Sequence, residues 1–117
     1  MKPTVTEEEA KVLKGLERAL MAFRLLNDTM PLQYVITFLA VATDEGKGVK
    51  DYAERLGVNS TTMSRHLLDI GPRNRQMTDG YGLVQYRPNP MELRKHEYYI
   101  TPKGRQLLNH IMGAMEK

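Results

Sequence analysis

A chain of 117 residues without a single cysteine can bury one modest core, and it excludes disulfides, thiol catalysis and cysteine-ligated zinc or iron–sulfur sites. No apolar run reaches the ~18 residues of a membrane span, and Glu7, Glu8 and Glu9 stand where a signal peptide would have its apolar core, so a cytoplasmic protein that makes no membrane contact is expected. The net charge of +3 is unevenly spread: residues 1–46 carry five Lys/Arg against seven Asp/Glu, and residues 47–117 carry twelve against seven, which puts a basic excess suited to a polyanion in the second part of the chain.

The first predicted element is a helix over residues 6–27. Thr6 followed by three glutamates reads as a capping box with acid at the positive end of the helix dipole. Val12, Leu13, Leu16, Ala19, Leu20, Phe23 and Leu26 make an apolar stripe, and Asn27-Asp28 and Pro31 end it. A second helix from about Pro31 carries Val35, Ile36, Phe38, Leu39, Val41 and Ala42. It is apolar almost all round and is expected to be the buried centre of the domain. Residues 43–48, Thr-Asp-Glu-Gly-Lys-Gly, read as a loop.

Residues 49–70 carry the strongest local signal. Val49, Tyr52, Ala53 and Leu56 follow the i, i+3, i+4, i+7 spacing of a short amphipathic helix. Gly57 then stands where a helix end goes left-handed. Asn59 or Ser60 is placed to cap the next helix, which buries Met63, Leu67 and Ile70 with Leu68 beside them. Its outer N-terminal face is Ser60, Thr61, Thr62, Ser64 and Arg65. Two helices around a tight turn, the second presenting hydroxyls and an arginine, form a helix-turn-helix. In that motif the N-terminal residues of the second helix reach base edges in the major groove, where an arginine can grip guanine bidentately. The alternative is a helical hairpin with a solvated face.

Gly71-Pro72 ends the second helix. Residues 72–82 have no clean period and read as an irregular connection holding Arg73 and Arg75. The stretch 83–87 alternates and is β-prone, Pro88-Asn89-Pro90 reads as a turn, and 96–100 as a second strand. Arg87, Arg94 and Lys95 flank that turn, as a basic wing does when it meets a phosphate backbone or a narrow minor groove. The last helix, residues 101–116, opens with Thr101 as cap and Pro102 at the first helical position, and Leu107, Leu108, Ile111, Met112 and Met115 are its apolar positions. The fold class expected is mainly α with a small β-hairpin: a single winged helix-turn-helix domain of order α-α-α-α-β-β-α over residues 1–117. The helices at 6–27 and 101–116 have more apolar surface than so small a domain needs, and are expected to form a dimerisation region.

Three local patterns resemble the MarR family of winged-helix transcriptional regulators. Thr62-Met63-Ser64-Arg65 resembles the family's recognition-helix core, Gly82-Leu83-Val84 the opening of its first wing strand, and Ile100-Thr101-Pro102-Lys103-Gly104-Arg105 the entry to its last helix. Glu92 and Arg94 fall where the family has an Asp-x-Arg at the wing, which implies Arg94 as a wing contact to minor groove or phosphate. The resemblance covers roughly residues 31–108. The chain departs from the family in a longer segment before Gly82, the one containing Arg73 and Arg75, and in shorter terminal helices.

His66, His96 and His110 lie in three different elements without metal-site spacing, so no metal or other cofactor is expected; His66 is read at the edge of the recognition helix, within reach of a phosphate. No phosphate loop, nucleophile elbow or catalytic carboxylate pair is present, which argues against an enzyme. The reading is a homodimeric, sequence-specific regulator of double-stranded DNA, acting as a repressor. Its DNA contacts are expected at Ser60, Thr61, Thr62, Ser64, Arg65, Arg73, Arg75, Arg87, Arg94 and Lys95. A small-molecule effector leaves no motif to read. The rival reading is a winged-helix module that binds a protein of a transcription or replication complex.

Overall fold

A computed structural model describes residues 4–73 and 79–116. The elements are α1 (Glu7–Arg24), α2 (Leu32–Thr43), α3 (Val49–Leu56), α4 (Ser60–Asp69), β1 (Val84–Asn89), β2 (Glu92–Ile100) and α5 (Pro102–Glu116). This is the order expected from the sequence. The chain divides into two units: one of residues 1–30 with 106–117, the other of residues 31–105.

The unit of residues 31–105 is built around α2, which packs against α3, α4 and β2. Phe38 and Val41 of α2, Met63 and Ile70 at the inner face of α4, and Leu67, Leu83 and Val84 are all fully buried. Tyr52 and Ala53 of α3 join them. Thr37 is buried among these apolar groups, and its hydroxyl donates to the Gln33 carbonyl at 2.7 Å, which removes the penalty of burying a free O–H. Arg55 is engaged locally: its guanidinium donates to the Ala40 carbonyl at 3.3 Å and to Thr43 Oγ1 at 2.8 Å, closing the C-terminal turn of α2.

The loop at 43–48 does more than connect. Gly46 N–H donates to the Tyr98 carbonyl at 2.8 Å and Tyr98 N–H to the Lys47 carbonyl at 3.0 Å, so this stretch lies along β2 opposite β1. The Glu45 carboxylate accepts from Ile100 N–H at 2.8 Å. Glycine-flanked Lys47 shows no β pattern in the sequence, so nothing local announces the pairing. The strands are also longer than expected. Pro88 and Asn89 belong to β1, β2 starts at Glu92, and the register shifts between Pro88 and Asn89. Proline is tolerated there because it sits at the hairpin's end.

In the other unit, α1 carries the capping box its sequence implies: Glu9 N–H donates to Thr6 Oγ1 at 3.1 Å and Thr6 N–H to the Glu9 carboxylate at 3.0 Å. The Thr6 backbone N–H, and after it the Thr6 hydroxyl, hold the Glu9 carboxyl below its usual pKa. The helix ends at Arg24, short of Asn27, whose side chain turns the chain by accepting from Thr29 N–H at 2.9 Å. Arg18 donates to the Ala114 carbonyl at 3.2 Å, tying α1 to the end of α5. Only Ala19, Ala22 and Phe23 of the α1 apolar residues are buried. Val12, Leu13, Leu16, Leu20 and Met21 stay exposed, as do Met112 and Met115 of α5. No described helix is long and apolar enough to cross a membrane.

Candidate nucleic-acid interface

The turn between α3 and α4 is built as the sequence implies. Gly57 adopts φ +70°, a left-handed conformation that costs an L-residue with a side chain about 1–2 kcal/mol, and Val58 N–H closes the helix end by donating to the Ala53 carbonyl at 3.0 Å. Of the two capping candidates, Asn59 takes the role: its Oδ1 accepts from Thr62 N–H at 2.7 Å. Ser60 is thereby left as the first helical residue, its hydroxyl outward. Ser60, Thr61, Ser64 and Arg65 are exposed and Thr62 is half-buried, while Met63 and Leu67 on the opposite side are sealed. The outer face of α4 is therefore polar over its first two turns, and of its apolar side chains Leu68, near the C-terminal end, is the one that stays exposed.

The far end of α4 is fixed to the hairpin. The Ile70 carbonyl accepts from Leu83 N–H at 2.8 Å and from Val84 N–H at 3.3 Å. The segment after α4 leaves and returns through a hydrogen-bonded neck. Gly80 N–H donates to the Pro72 carbonyl, Tyr81 N–H to Asp69 and Gly82 N–H to Gly71, and Arg73 pairs with Asp79 across it. The expected irregular connection thus has an ordered base, with Arg73 exposed on it. Arg75 lies outside the described residues. An apolar cavity of about 340 Å³ opens beside this neck, between Leu67 and Leu68 of α4 and Val84, Tyr86 and Tyr98 of the hairpin.

His66 is half-buried with its ring edge-on to Tyr34, the centroids 5.5 Å apart, and the Tyr34 hydroxyl donates to the buried Asp69 carboxylate. Packing against α2 is thus an established role for this ring.

On the hairpin, Arg87, Arg94 and Lys95 are all exposed, though not equally uncommitted. Arg87 lies over the Tyr99 ring at 4.8 Å and faces Glu97 across the strands. Lys95 is 3.2 Å from the Glu92 carboxylate, both side chains well exposed, a pairing weak enough to exchange for phosphate. The opposite face carries an aromatic ladder, with Tyr86 and His96 stacked at 4.1 Å and Tyr98 beside them. Burial pushes the Tyr98 hydroxyl up from its ordinary pKa. Burial likewise raises Tyr52 to about 12, and its hydroxyl donates to the Asp44 carbonyl at 2.7 Å.

Two features go beyond what the sequence pattern led one to expect: the pairing of Lys47 with β2, and the hairpin tip, where Met91 and Leu93 are 93% and 74% exposed. An apolar pair directly after Pro88-Asn89-Pro90 was a visible signal for the tip. Among the described residues no cluster of three metal-ligating side chains occurs.

Charge follows the same division. Residues 31–105 hold eleven Lys/Arg against eight Asp/Glu, whereas the remaining residues hold six of each. The whole basic excess belongs to the unit carrying α4 and the hairpin.

No protein-family model and no curated protein sequence matches the chain; the likeness is structural. The transcriptional regulator Tm0710 from Thermotoga maritima superposes with a TM-score of 0.67 at 19% identity, over 92% of this chain and 66% of that one. The MarR family transcription regulator SP03579 gives 0.59 at 18% identity, over 89% of this chain and 57% of its own. A variant of S. aureus MepR bound to an oligodeoxyribonucleotide gives 0.67 at 14% identity, over 89% and 70%. The chain thus spans just under two thirds of the first of these structures and less of the second. The fold it shares with them is the MarR-like winged helix.

Proposed function

We propose that this protein is a sequence-specific double-stranded DNA-binding transcriptional regulator. In this reading α4 enters the major groove while Arg73, Arg87, Arg94 and Lys95 meet phosphate or the neighbouring minor groove. The observation that carries the proposal is the outer face of α4: Ser60, Thr61, Ser64 and Arg65 exposed on a helix whose inner face is fully buried. Short hydroxyl side chains permit close approach to base edges, and Arg65 supplies a bidentate donor for guanine. Phosphate contacts from the hairpin and neck would then supply register and much of the affinity. That a protein of the same fold, the MepR variant, has been solved on an oligodeoxyribonucleotide supports the reading.

The protein is further proposed to act as a homodimer through α1 and the end of α5. The exposed Val12, Leu13, Leu16, Leu20, Met21, Met112 and Met115 exceed what scattered surface residues account for, and a two-fold pairing would bury them. Two α4 helices would then address half-sites about 34 Å apart, and occupancy of the site would repress. Selection of bound sequences from a random duplex pool tests this. A two-fold symmetric consensus is expected, with guanine at the position Arg65 reads. Recovery of no consensus, with a stable protein partner in its place, would favour the interaction-module alternative.

A further inference from the structure

We infer that the tip of the β1–β2 hairpin is an apolar wedge that enters a DNA minor groove and bends the duplex there, an inference that rests on the DNA-binding reading above. Met91 and Leu93 are the most exposed large hydrophobic side chains of the unit formed by residues 31–105. Turns favour Gly, Asn, Asp and Ser because they meet water, so two large apolar groups at a tip gain nothing from the fold itself. Minor-groove proteins use this same pair of residue types, leucine and methionine, to part a base step and kink DNA.

Three further observations favour DNA as the occupant. First, the tip is stiff. Pro88 and Pro90 restrict its backbone, the Asn89 side chain accepts from Met91 N–H at 2.8 Å, and the Tyr86–His96 stack braces the strands below. A preorganised wedge loses little entropy on insertion. Second, its surroundings are net positive. Arg87, Arg94 and Lys95 are exposed on the hairpin; Lys95 offsets Glu92 at 3.2 Å and Glu97 stands opposite Arg87, which leaves a positive excess beside the tip. An apolar point beside positive charge complements a groove walled by phosphates. Third, its reach is right. The hairpin root is hydrogen-bonded to the Ile70 carbonyl at the end of α4, and the six residues of β1 extend about 20 Å from there. Half a turn of DNA, the step from a major to a minor groove, is about 17 Å.

The test is the bend angle of a selected duplex carrying a fluorophore at each end, measured by energy transfer in complex with the full chain. The wild type is expected to bend the duplex by about 20–90°. The double variant Met91→Ala, Leu93→Ala should still bind with the same dependence on salt, since no cation has been removed, while the angle returns toward that of free DNA. Leu93→Lys should also lose the bend, but with a salt slope steeper by about one. A wild-type complex with straight DNA, or alanine variants that bend as the wild type does, would overturn the inference. So would alanine variants whose only loss is a protein partner. Failure of the wild type to bind any duplex at low salt would instead sink the DNA reading itself.

Discussion

Gly57 and Gly104 show how differently two glycines can be required. A Cβ added at Gly57 would meet nothing within 4 Å, yet the residue's φ is +70°, so Gly57→Ala is expected to cost about 1 kcal/mol through backbone strain alone. At Gly104 the conformation is ordinary and space is missing: an added Cβ would lie 2.3 Å from the Leu83 carbonyl oxygen and 2.8 Å from Ile100 Cγ2. Gly104→Ala is expected to cost at least about 1–3 kcal/mol, as overpacked sites do, and urea denaturation of both variants checks the order. The first requirement was legible in the sequence, because a glycine after the last apolar position of a helix is a local signal. The second was visible only as part of a family resemblance, since its cause is a carbonyl 21 positions earlier in the chain. Tyr52 supplies a pH test. Its folded pKa of about 12 lies above the ordinary 10.0, so the folded state holds the proton more tightly. Its contribution is complete below about pH 10 and is lost as pH rises through 12, with a slope near 1.4 kcal/mol per pH unit. Tyr52→Phe should flatten that alkaline loss in part, Tyr98 being shifted in the same direction, and should cost about 1 kcal/mol at neutral pH for the bond to Asp44.

At the scale of elements, helices with periodic faces and marked ends were legible. For α3 and α4, apolar spacing, Gly57 and the Asn59 cap agree with one another, and the elements stand where that agreement put them. Asn59→Ala is expected to destabilise α4 by about 1 kcal/mol, read as a lowered urea midpoint. The pairing of Gly46 and Lys47 with β2, and the extension of the hairpin through Pro88 and Asn89, were not legible. Both depend on partners far along the chain, and both involve glycine or proline, which sequence patterns treat as breaks. For α1 the apolar stripe is plain in the sequence, but periodicity does not say which part is spent inside the unit. The structure leaves Leu16 and Leu20 exposed. On the dimer proposal, Leu16→Glu with Leu20→Glu should shift the protein to monomer in analytical ultracentrifugation while its circular dichroism spectrum is retained. An unchanged sedimentation coefficient would place the dimer contact elsewhere.

Over the whole molecule, the division of charge matters more than its total. The basic excess, the exposed face of α4 and the hairpin all fall within residues 31–105, so one unit holds the features a duplex would meet. If Arg73, Arg87, Arg94 and Lys95 all neutralise phosphate, the logarithm of affinity should fall against the logarithm of salt with a slope of about −3.6 per protomer. Removing one hairpin cation should reduce that slope by about one. Arg65 is distinguished from the others by its place on α4: it should carry discrimination as well as affinity. The most direct measurement is therefore the ratio of dissociation constants for a scrambled and a selected duplex, at one salt concentration, for wild type and Arg65→Ala. The account predicts a wild-type ratio of about 1,000 or more, reduced about 10- to 100-fold by the substitution. A wild-type ratio near one, or a ratio that Arg65→Ala leaves unchanged, would contradict it.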